Sequence, residues 1–458
     1  MTVEIPDVAP PTPEQIAIVK STAPVLEVHG VTITTAFYAN MHRENPILHE
    51  VFNQANQRNG HQARALAMSV LAYAKYIDNL AVLGEAVEII CQKHASILIQ
   101  PAQYNIVGKY LLEAIKQVLG DAATDEIISA WGAAYWQLAR IMIGREEQIY
   151  CEHASRDWRP FVVSRKIKES EEITSFHLAP TDGKPVEHYK PGQYISVRVA
   201  VPQQEWKQSR QYSLSDSPDP KHYRISVKRI DGVSAENPAT ASYPGWVSNV
   251  LHDTVQEGDI VDLTFPCGAF YLDTKESRKA PVVLISGGVG LTPLMSMLNT
   301  LISEGSDRPV TWIHTTRSRK AYAFEEQVKA VMKTKPSWNA IVYSCDPALT
   351  SDGSVTNYRT VNGRLDLRDL DKNADLHLDN PDTQYFICGP DGFMPEMKES
   401  LVRLGASAGK VKYEKFGTGN IEEEKPASNQ EMETCPVSGA QGKSMECPSG
   451  SLRQSAQA

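Results

Sequence analysis

At 458 residues the chain is too long for one ordinary domain, and two to four are expected. A hydrophobic share of 41% with 22% charged residues fits a globular protein in water, and a net charge of −9 argues against nucleic acid or an anionic membrane as the main partner. No run approaches the ~18 apolar residues of a membrane span. The acidic, proline-rich start MTVEIPDVAPPTPEQ lacks the basic and apolar pattern of a signal peptide and the arginine and serine of a transit peptide. Seven cysteines at irregular spacing form neither a zinc pattern nor a disulfide framework, so a cytoplasmic, reducing location is expected.

Residues 1–12 read as a polar lead-in, and 13–155 as almost wholly helical. Pro13 opens the first helix at a position proline tolerates. Leu66, Val70, Tyr73, Ile77 and Leu80 mark another helix by their spacing. Val87, Ile90, Cys91, Ile97 and Leu98 recur around His94 on an apolar face, and Gln100-Pro101 is expected to stop that helix. The next helix is expected to start with Tyr104, followed by Val107, Leu111, Ile115 and Val118. A long last helix carries Ile128, Trp131, Tyr135, Leu138, Met142 and Ile149, with Glu146 inside that stripe. A buried imidazole or carboxyl needs a partner. Taken alone, His94 reads first as an ordinary core histidine. A histidine, a tyrosine and a glutamate aimed inward together suggest a helical bundle around a cofactor.

From about Trp158 the pattern changes to strands. Segments 160–179, 190–200, 211–215, 222–228 and 259–265 are predicted β, with one short helix over 246–252, giving an antiparallel barrel or sandwich across 156–275. Over 276–420, strands near 310–314, 340–345 and 384–388 alternate with helices such as 323–332 and 393–404. They follow a strand and glycine-rich turn after Pro281, so a parallel sheet is expected. No internal repeat is apparent at domain scale. Residues 421–458 hold no aromatic residue and are rich in Glu, Ser, Gln and Gly, and they read as a disordered tail. Its pairs Cys435-Pro436 and Cys447-Pro448 read as chance.

The strand segment Arg210-Gln211-Tyr212-Ser213 offers an arginine suited to a diphosphate, an aromatic that can stack on a flat ring, and a hydroxyl for a ring atom. Tyr194 adds an aromatic at the start of another strand, and Trp246, Val247 and Ser248 follow a turn into a helix N-terminus. In this order the set resembles the FAD-binding domain of the ferredoxin–NADP reductase superfamily. Gly287-Gly288-Val289-Gly290-Leu291-Thr292-Pro293 follows a buried strand and would let backbone approach a pyrophosphate, although its spacing is not GxGxxG. Cys388-Gly389-Pro390 follows a later strand, and the two turns together match the NAD(P)H domain of the same superfamily. Thr316-Arg317-Ser318-Arg319-Lys320 lies where such reductases bind the adenosine ribose. It is read equally as a site for the 2′-phosphate of NADPH or as a solvated basic loop, so NADH and NADPH both stay open.

With Tyr38, the corner Phe52 to Gly60, Gln62, Leu66, Lys93-His94 and Tyr104 to Gly108 added, residues 13–417 resemble a flavohaemoglobin, nearest to fungal members. Two departures are extra residues between Asp231 and Trp246 and the segment after Gly419. The resemblance implies an all-α globin, then an antiparallel β-barrel FAD domain, then an α/β parallel-sheet NAD(P)H domain. It implies haem b held through His94, with Tyr104 and Glu146 as hydrogen-bonding neighbours. Tyr38 and Gln62 would face iron-bound oxygen, and Phe52 and Leu66 would line the haem. Phe416 would cover the flavin, and Cys388 and Gly389 would lie beside the nicotinamide. The implied activity is nitric oxide dioxygenation: electrons pass from NADH or NADPH through FAD to haem, and oxygen converts nitric oxide to nitrate. The expected partners are these small molecules, with no nucleic acid and no membrane span, and the chain is expected to be a monomer. Two other classes use the same modules: a reductase serving another acceptor, such as a lipid hydroperoxide or a quinone, and an oxygen or nitric oxide sensor.

Overall fold

Amphipathic helices built on small residues open the chain in a computed structural model, which describes residues 5–202, 204–232, 245–276, 279–350 and 353–417. They are α1 (Pro13–Ser21), α2 (Ala23–Glu44), α3 (Gln54–Arg58), α4 (His61–Tyr76), α5 (Gly84–Ser96), α6 (Pro101–Leu119) and α7 (Asp125–Cys151). Alanines at 63, 65, 67, 72, 74, 114, 130 and 134 let α2, α4, α6 and α7 approach closely. Thr12 and Thr124 cap α1 and α7 through their side-chain oxygens.

The boundary between α5 and α6 differs from expectation. Helix α5 ends at Ser96, not at Gln100-Pro101. The Ile97 and Ile99 amides both donate to the His94 carbonyl, and Leu98 takes a left-handed φ of +61°. Pro101 then starts α6 at its first position, three residues before Tyr104.

The barrel strands are β1 (Arg159–Lys168), β2 (Ile173–Pro180), β3 (Tyr194–Val199), β4 (Gln208–Ser213), β5 (Tyr223–Lys228) and β6 (Ile260–Leu263). Their order is β4-β3-β6-β1-β2-β5, all pairs antiparallel, and a Leu214–Ile225 bridge joins the two edges. The expected strand over 160–179 is two strands, because the polar turn Glu169 to Glu172 reverses the chain. The short helix is α8 (Trp246–Asn249), continued by a π-helical turn, Val250–Thr254.

The last sheet holds β7 (Val282–Gly287), β8 (Val310–Thr315), β9 (Asn339–Ser344), β10 (Tyr358–Asn362), β11 (Gln384–Cys388) and β12 (Val411–Glu414). Helices α9 (Leu291–Ser303), α10 (Glu325–Thr334) and α11 (Phe393–Leu404) connect them. Every pairing is parallel and the order is β10-β9-β8-β7-β11-β12. The chain walks outward from β7 to β10, then returns to β11 on the other side of β7. The strand order therefore reverses between β7 and β11, where open α/β sheets bind ligands. Residues 233–244 of the lengthened loop and the expected tail lie outside the described residues. No single helix among the described residues is long and apolar enough to cross a membrane.

Candidate functional site

Three helices converge behind His94. From α5, its Nδ1 lies 2.8 Å from Glu146 Oε1 on α7 and 3.1 Å from the Tyr104 hydroxyl on α6. Tyr104 donates to the same Glu146 oxygen at 2.5 Å. Glu146 is only 2% exposed, so these two donors meet the demand its position creates. Burial, then the nearby Glu146, push the Tyr104 phenol well up, which keeps it a donor. Tyr135 donates to the Tyr104 carbonyl at 2.5 Å and Tyr150 to the Ile99 carbonyl at 2.7 Å, pinning the start of α6 and the turn before it. No described residue hydrogen-bonds His94 Nε2, and the side chain keeps 32% of its surface open. One ring nitrogen anchored by a carboxyl and the other open is the arrangement of a metal-ligating histidine.

Across the helical core, Tyr38 on α2 is buried and hydrogen-bonds Gln62 on α4. Burial pushes its phenol up, so it too stays protonated. Phe52, between the turn Pro46–Glu50 and α3, packs edge-on to Tyr38 with ring centres 5.5 Å apart. Leu66 packs one turn beyond Gln62 in the same cluster.

In the barrel, β3 and β4 pair Tyr194 with Ser213 and Val197 with Arg210. Arg210 donates at 2.6 Å to the Ser209 carbonyl, and no described carboxylate pairs with it. Burial pulls its pKa down to about 10. A desolvated cation with donors to spare is suited to a diphosphate. Tyr194, Ser213, Val247 and Ser248 are buried, and Tyr212 and Trp246 pack against the barrel core. The Gln211 side chain, on the face of β4 opposite Arg210, donates to Ser96 on α5 at 3.3 Å. Phe416 follows β12 and is 42% exposed.

At the reversal between β7 and β11 the two expected turns interlock. Gly288 takes φ +53°. A Cβ on Gly290 would lie 2.1 Å from the Cys388 carbonyl oxygen, and one on Gly389 would lie 2.6 Å from Phe393. Thr292 donates to the Val289 carbonyl at 3.1 Å, while Leu291 and Pro293 are buried in the first turn of α9. Cys388 is buried, and Pro390 lies 2.9 Å from the Cβ position of Gly287. In the basic loop after β8, Arg317 pairs with Glu172, Lys320 with Glu171 at 3.3 Å and Arg319 with Glu325 at 3.5 Å.

Residues 35–142 match a globin family model, 160–271 an oxidoreductase FAD-binding domain and 284–399 an oxidoreductase NAD-binding domain. The chain is 45% identical to a flavohemoprotein of Bordetella pertussis over 417 residues, 90% of this chain and 99% of that one. It is 46% identical to a flavohemoprotein of Deinococcus radiodurans over 89% of this chain and 97% of that one. The chain belongs to the flavohemoprotein family. A solved flavohemoglobin of Malassezia yamatoensis, with bound FAD and heme, superposes with a TM-score of 0.74 at 29% identity, covering 89% of this chain and all of that one. Globin, flavin and nicotinamide modules thus stand in the order of that family, and the residues present fit its groups. They are an imidazole with one open nitrogen, a half-buried cation with no acid beside it among the described residues, and a glycine cradle at the strand reversal.

One part of this flavohemoprotein's site escapes the motifs. Lys93, beside His94, donates to the Gly417 carbonyl. Burial pushes the Glu414 carboxyl up to about 7, with Lys93 opposing, and the same burial pulls Lys93 down. Gln92 accepts from the Gly268 amide at 2.9 Å, and Thr264 donates to the Ser96 carbonyl at 2.9 Å. One turn of α5 is therefore bonded to the barrel and to the end of β12. Each partner is distant in sequence and sits in no recognisable pattern; only the run Lys93-His94 hints at it.

Proposed function

We propose that the chain is a nitric oxide dioxygenase that converts nitric oxide and oxygen to nitrate with electrons from NADH or NADPH. When bound, the nicotinamide supplies hydride, FAD splits it into single electrons, and haem supplies the oxygen-activating iron. His94 Nε2 would hold that iron. Glu146 accepts the Nδ1 proton of His94, which makes the imidazole more electron-releasing and suits oxygen activation better than storage. Tyr104 holds Glu146 in place by donating to the same oxygen. On the opposite side the Tyr38 hydroxyl, positioned by Gln62, would donate a hydrogen bond to a polar ligand, and Phe52 and Leu66 would narrow the space and exclude water.

In the reductase modules Arg210 would take the diphosphate of FAD, with Tyr194, Tyr212, Ser213, Trp246, Val247 and Ser248 around it and Phe416 over its ring. The turns Gly287 to Pro293 and Cys388 to Pro390 would hold the nicotinamide nucleotide. The observation that carries the reading is the His94–Glu146–Tyr104 network on a helix bonded directly to the barrel through Gln92 and Ser96. An oxygen store does not need a reductase joined to its proximal helix. A reductase for some other acceptor does not need a carboxyl buried behind a histidine.

The test uses protein loaded with haem and FAD, supplied with NADH or NADPH, oxygen and nitric oxide. The expected result is steady nitric oxide loss with nitrate formed at two per nicotinamide oxidised, a balance set by one electron per nitric oxide. Oxidation of the nicotinamide that leaves nitric oxide unchanged would overturn the reading. So would turnover that persists in His94→Ala.

A further inference from the structure

Asp216 lies three residues past the end of β4, where barrel and nicotinamide module meet. Its carbonyl accepts from Ser296 Oγ at 2.6 Å and from the Tyr189 hydroxyl at 2.7 Å. Its Oδ1 accepts from Asn299 Nδ2 at 2.9 Å and from the Ser217 amide at 2.9 Å, and its Oδ2 lies 3.2 Å from Arg224 Nη1. Ser296 and Asn299 belong to α9, the helix that starts directly after the Gly288–Gly290 turn. Gln327 on α10 donates to Asn299 Oδ1 at 3.0 Å and orients its amide.

Arg224, 7% exposed, completes the joint. It donates to the Ser215 carbonyl and, at 3.2 Å, to the Ser215 hydroxyl. Its guanidinium lies 5.2 Å from the ring centre of Phe324, which caps α10 with a left-handed φ of +63°, an uncommon conformation for an aromatic residue. The apolar part of the same joint, where Phe270 and Leu272 join the cluster of α9, is non-directional. Directional bonds therefore converge on Asp216. They run from the segment that continues Arg210, Tyr212 and Ser213 to the helix that carries the glycine turn.

The geometry points to Asp216 as a positioning residue for hydride transfer: through its bonds to α9 it sets the separation of nicotinamide and flavin. The inference rests on the reading of these modules as the nicotinamide and FAD sites. Hydride transfer needs donor and acceptor carbon or nitrogen within about 3–3.5 Å, and an error of about 1 Å lowers the rate roughly 10²-fold. A joint of oriented, half-buried hydrogen bonds can hold that tolerance, whereas apolar packing alone permits sliding.

The experiment follows anaerobic reduction of the flavin by NADH in the full chain loaded with haem and FAD, without nitric oxide. Its failure is thus separate from failure of the dioxygenase reading. For Asp216→Ala the limiting rate per bound flavin should fall roughly 10²-fold. The nicotinamide concentration at half-maximal rate should shift by less than about twofold, because the cradle that binds it is intact. NADH deuterated at the transferred position should show a larger isotope effect than in the parent protein. Ser296→Ala, which removes one hydroxyl, should slow the same step less while keeping full flavin content. Asp216→Asn, which retains the Oδ1 acceptor for Asn299, should recover part of the rate. An unchanged rate per bound flavin in Asp216→Ala and Ser296→Ala overturns the proposal. So does a loss that merely follows flavin loss. If Asp216→Ala does not fold, Ser296→Ala and Asn299→Ala decide the matter by the same readout.

Discussion

Behind His94 the site is made of side chains; between β7 and β11 it is made of main chain. The first depends on three polar atoms meeting across three helices, with Glu146 at 2.8 Å from His94 and 2.5 Å from Tyr104. The second depends on the absence of atoms, since a single methyl on Gly290 would meet the Cys388 carbonyl oxygen at 2.1 Å. A side-chain site fails when one atom is exchanged and the fold survives. A main-chain site tolerates chemical change around it and fails when volume is added. The comparison can be broken at either end.

The largest effect is expected for His94→Ala. Removing the imidazole removes the ring nitrogen that is open for iron, so the purified protein should lose its haem absorbance while flavin absorbance stays. Haem retained at parent levels would mean that His94 is a structural histidine after all. Next in size is Gly290→Ala. Neither partner in the clash is a flexible side-chain end, so the two turns must part, and reduction of the flavin by nicotinamide should fall by about 10²-fold or more. Haem content should be unaltered, because the globin core shares no residue with this cradle. Nicotinamide reduction at the parent rate would show that the turns are pliable and that the main-chain description is wrong.

Glu146→Gln sharpens the other side of the comparison. It keeps the volume and one acceptor oxygen but weakens the pull on the His94 Nδ1 proton. Loss of such an outer partner lowers activity by about 10–100-fold. The check is nitric oxide turnover together with the haem spectrum; if both match the parent protein, the electron-release argument falls.

Much of this is legible in the sequence. Apolar spacing marked the faces of α4, α6 and α7. Glu146 stood out because a carboxyl inside an apolar stripe needs a partner, and the glycine turns stood out because only backbone can occupy such a cradle. What was not legible has physical causes. The end of α5 carries no glycine, since Leu98 takes the left-handed position itself, so the sequence offers only the later proline as a stop. Strand β10 is an edge with a half-exposed pattern and β12 has only four residues, so neither offers a clear alternation. Gln211 points away from Arg210 by strand alternation, but its bond to Ser96 on α5 is not written in either segment. The Lys93 bond to the Gly417 carbonyl needs two modules folded together before it exists.

The buried Glu414 at the same junction predicts a pH dependence. Burial lifts the Glu414 carboxyl from 4.5 to about 7. Between these values the folded chain holds a proton there that the unfolded chain has released, so this contribution to stability is present at low pH and is lost as pH rises through 7. Thermal midpoints measured from pH 5 to about 8 should therefore fall more steeply in the parent protein than in Glu414→Gln, which cannot titrate. Parallel curves would mean that Glu414 ionises as if in water.

The smallest effect concerns the basic loop after β8. Arg317, Arg319 and Lys320 could in principle receive the extra phosphate of NADPH, but each pairs with a carboxylate: Glu172, Glu325 and Glu171. Glu172 also holds Lys228 at 3.2 Å, so it is the more heavily used acid of the β1–β2 turn. Replacing it with glutamine frees Arg317 and removes a charge that repels phosphate, so the efficiency of flavin reduction by NADPH relative to NADH should rise. Arg317 is largely exposed, and exposed pairs are weak and screened by salt. The expected gain is therefore about two- to fivefold at low ionic strength and should fade in high salt. A ratio that stays fixed in Glu172→Gln would mean the loop does not meet the ribose at all. The nucleotide would then be read entirely by main chain, and the contrast between the two halves of the molecule would be sharper than drawn above.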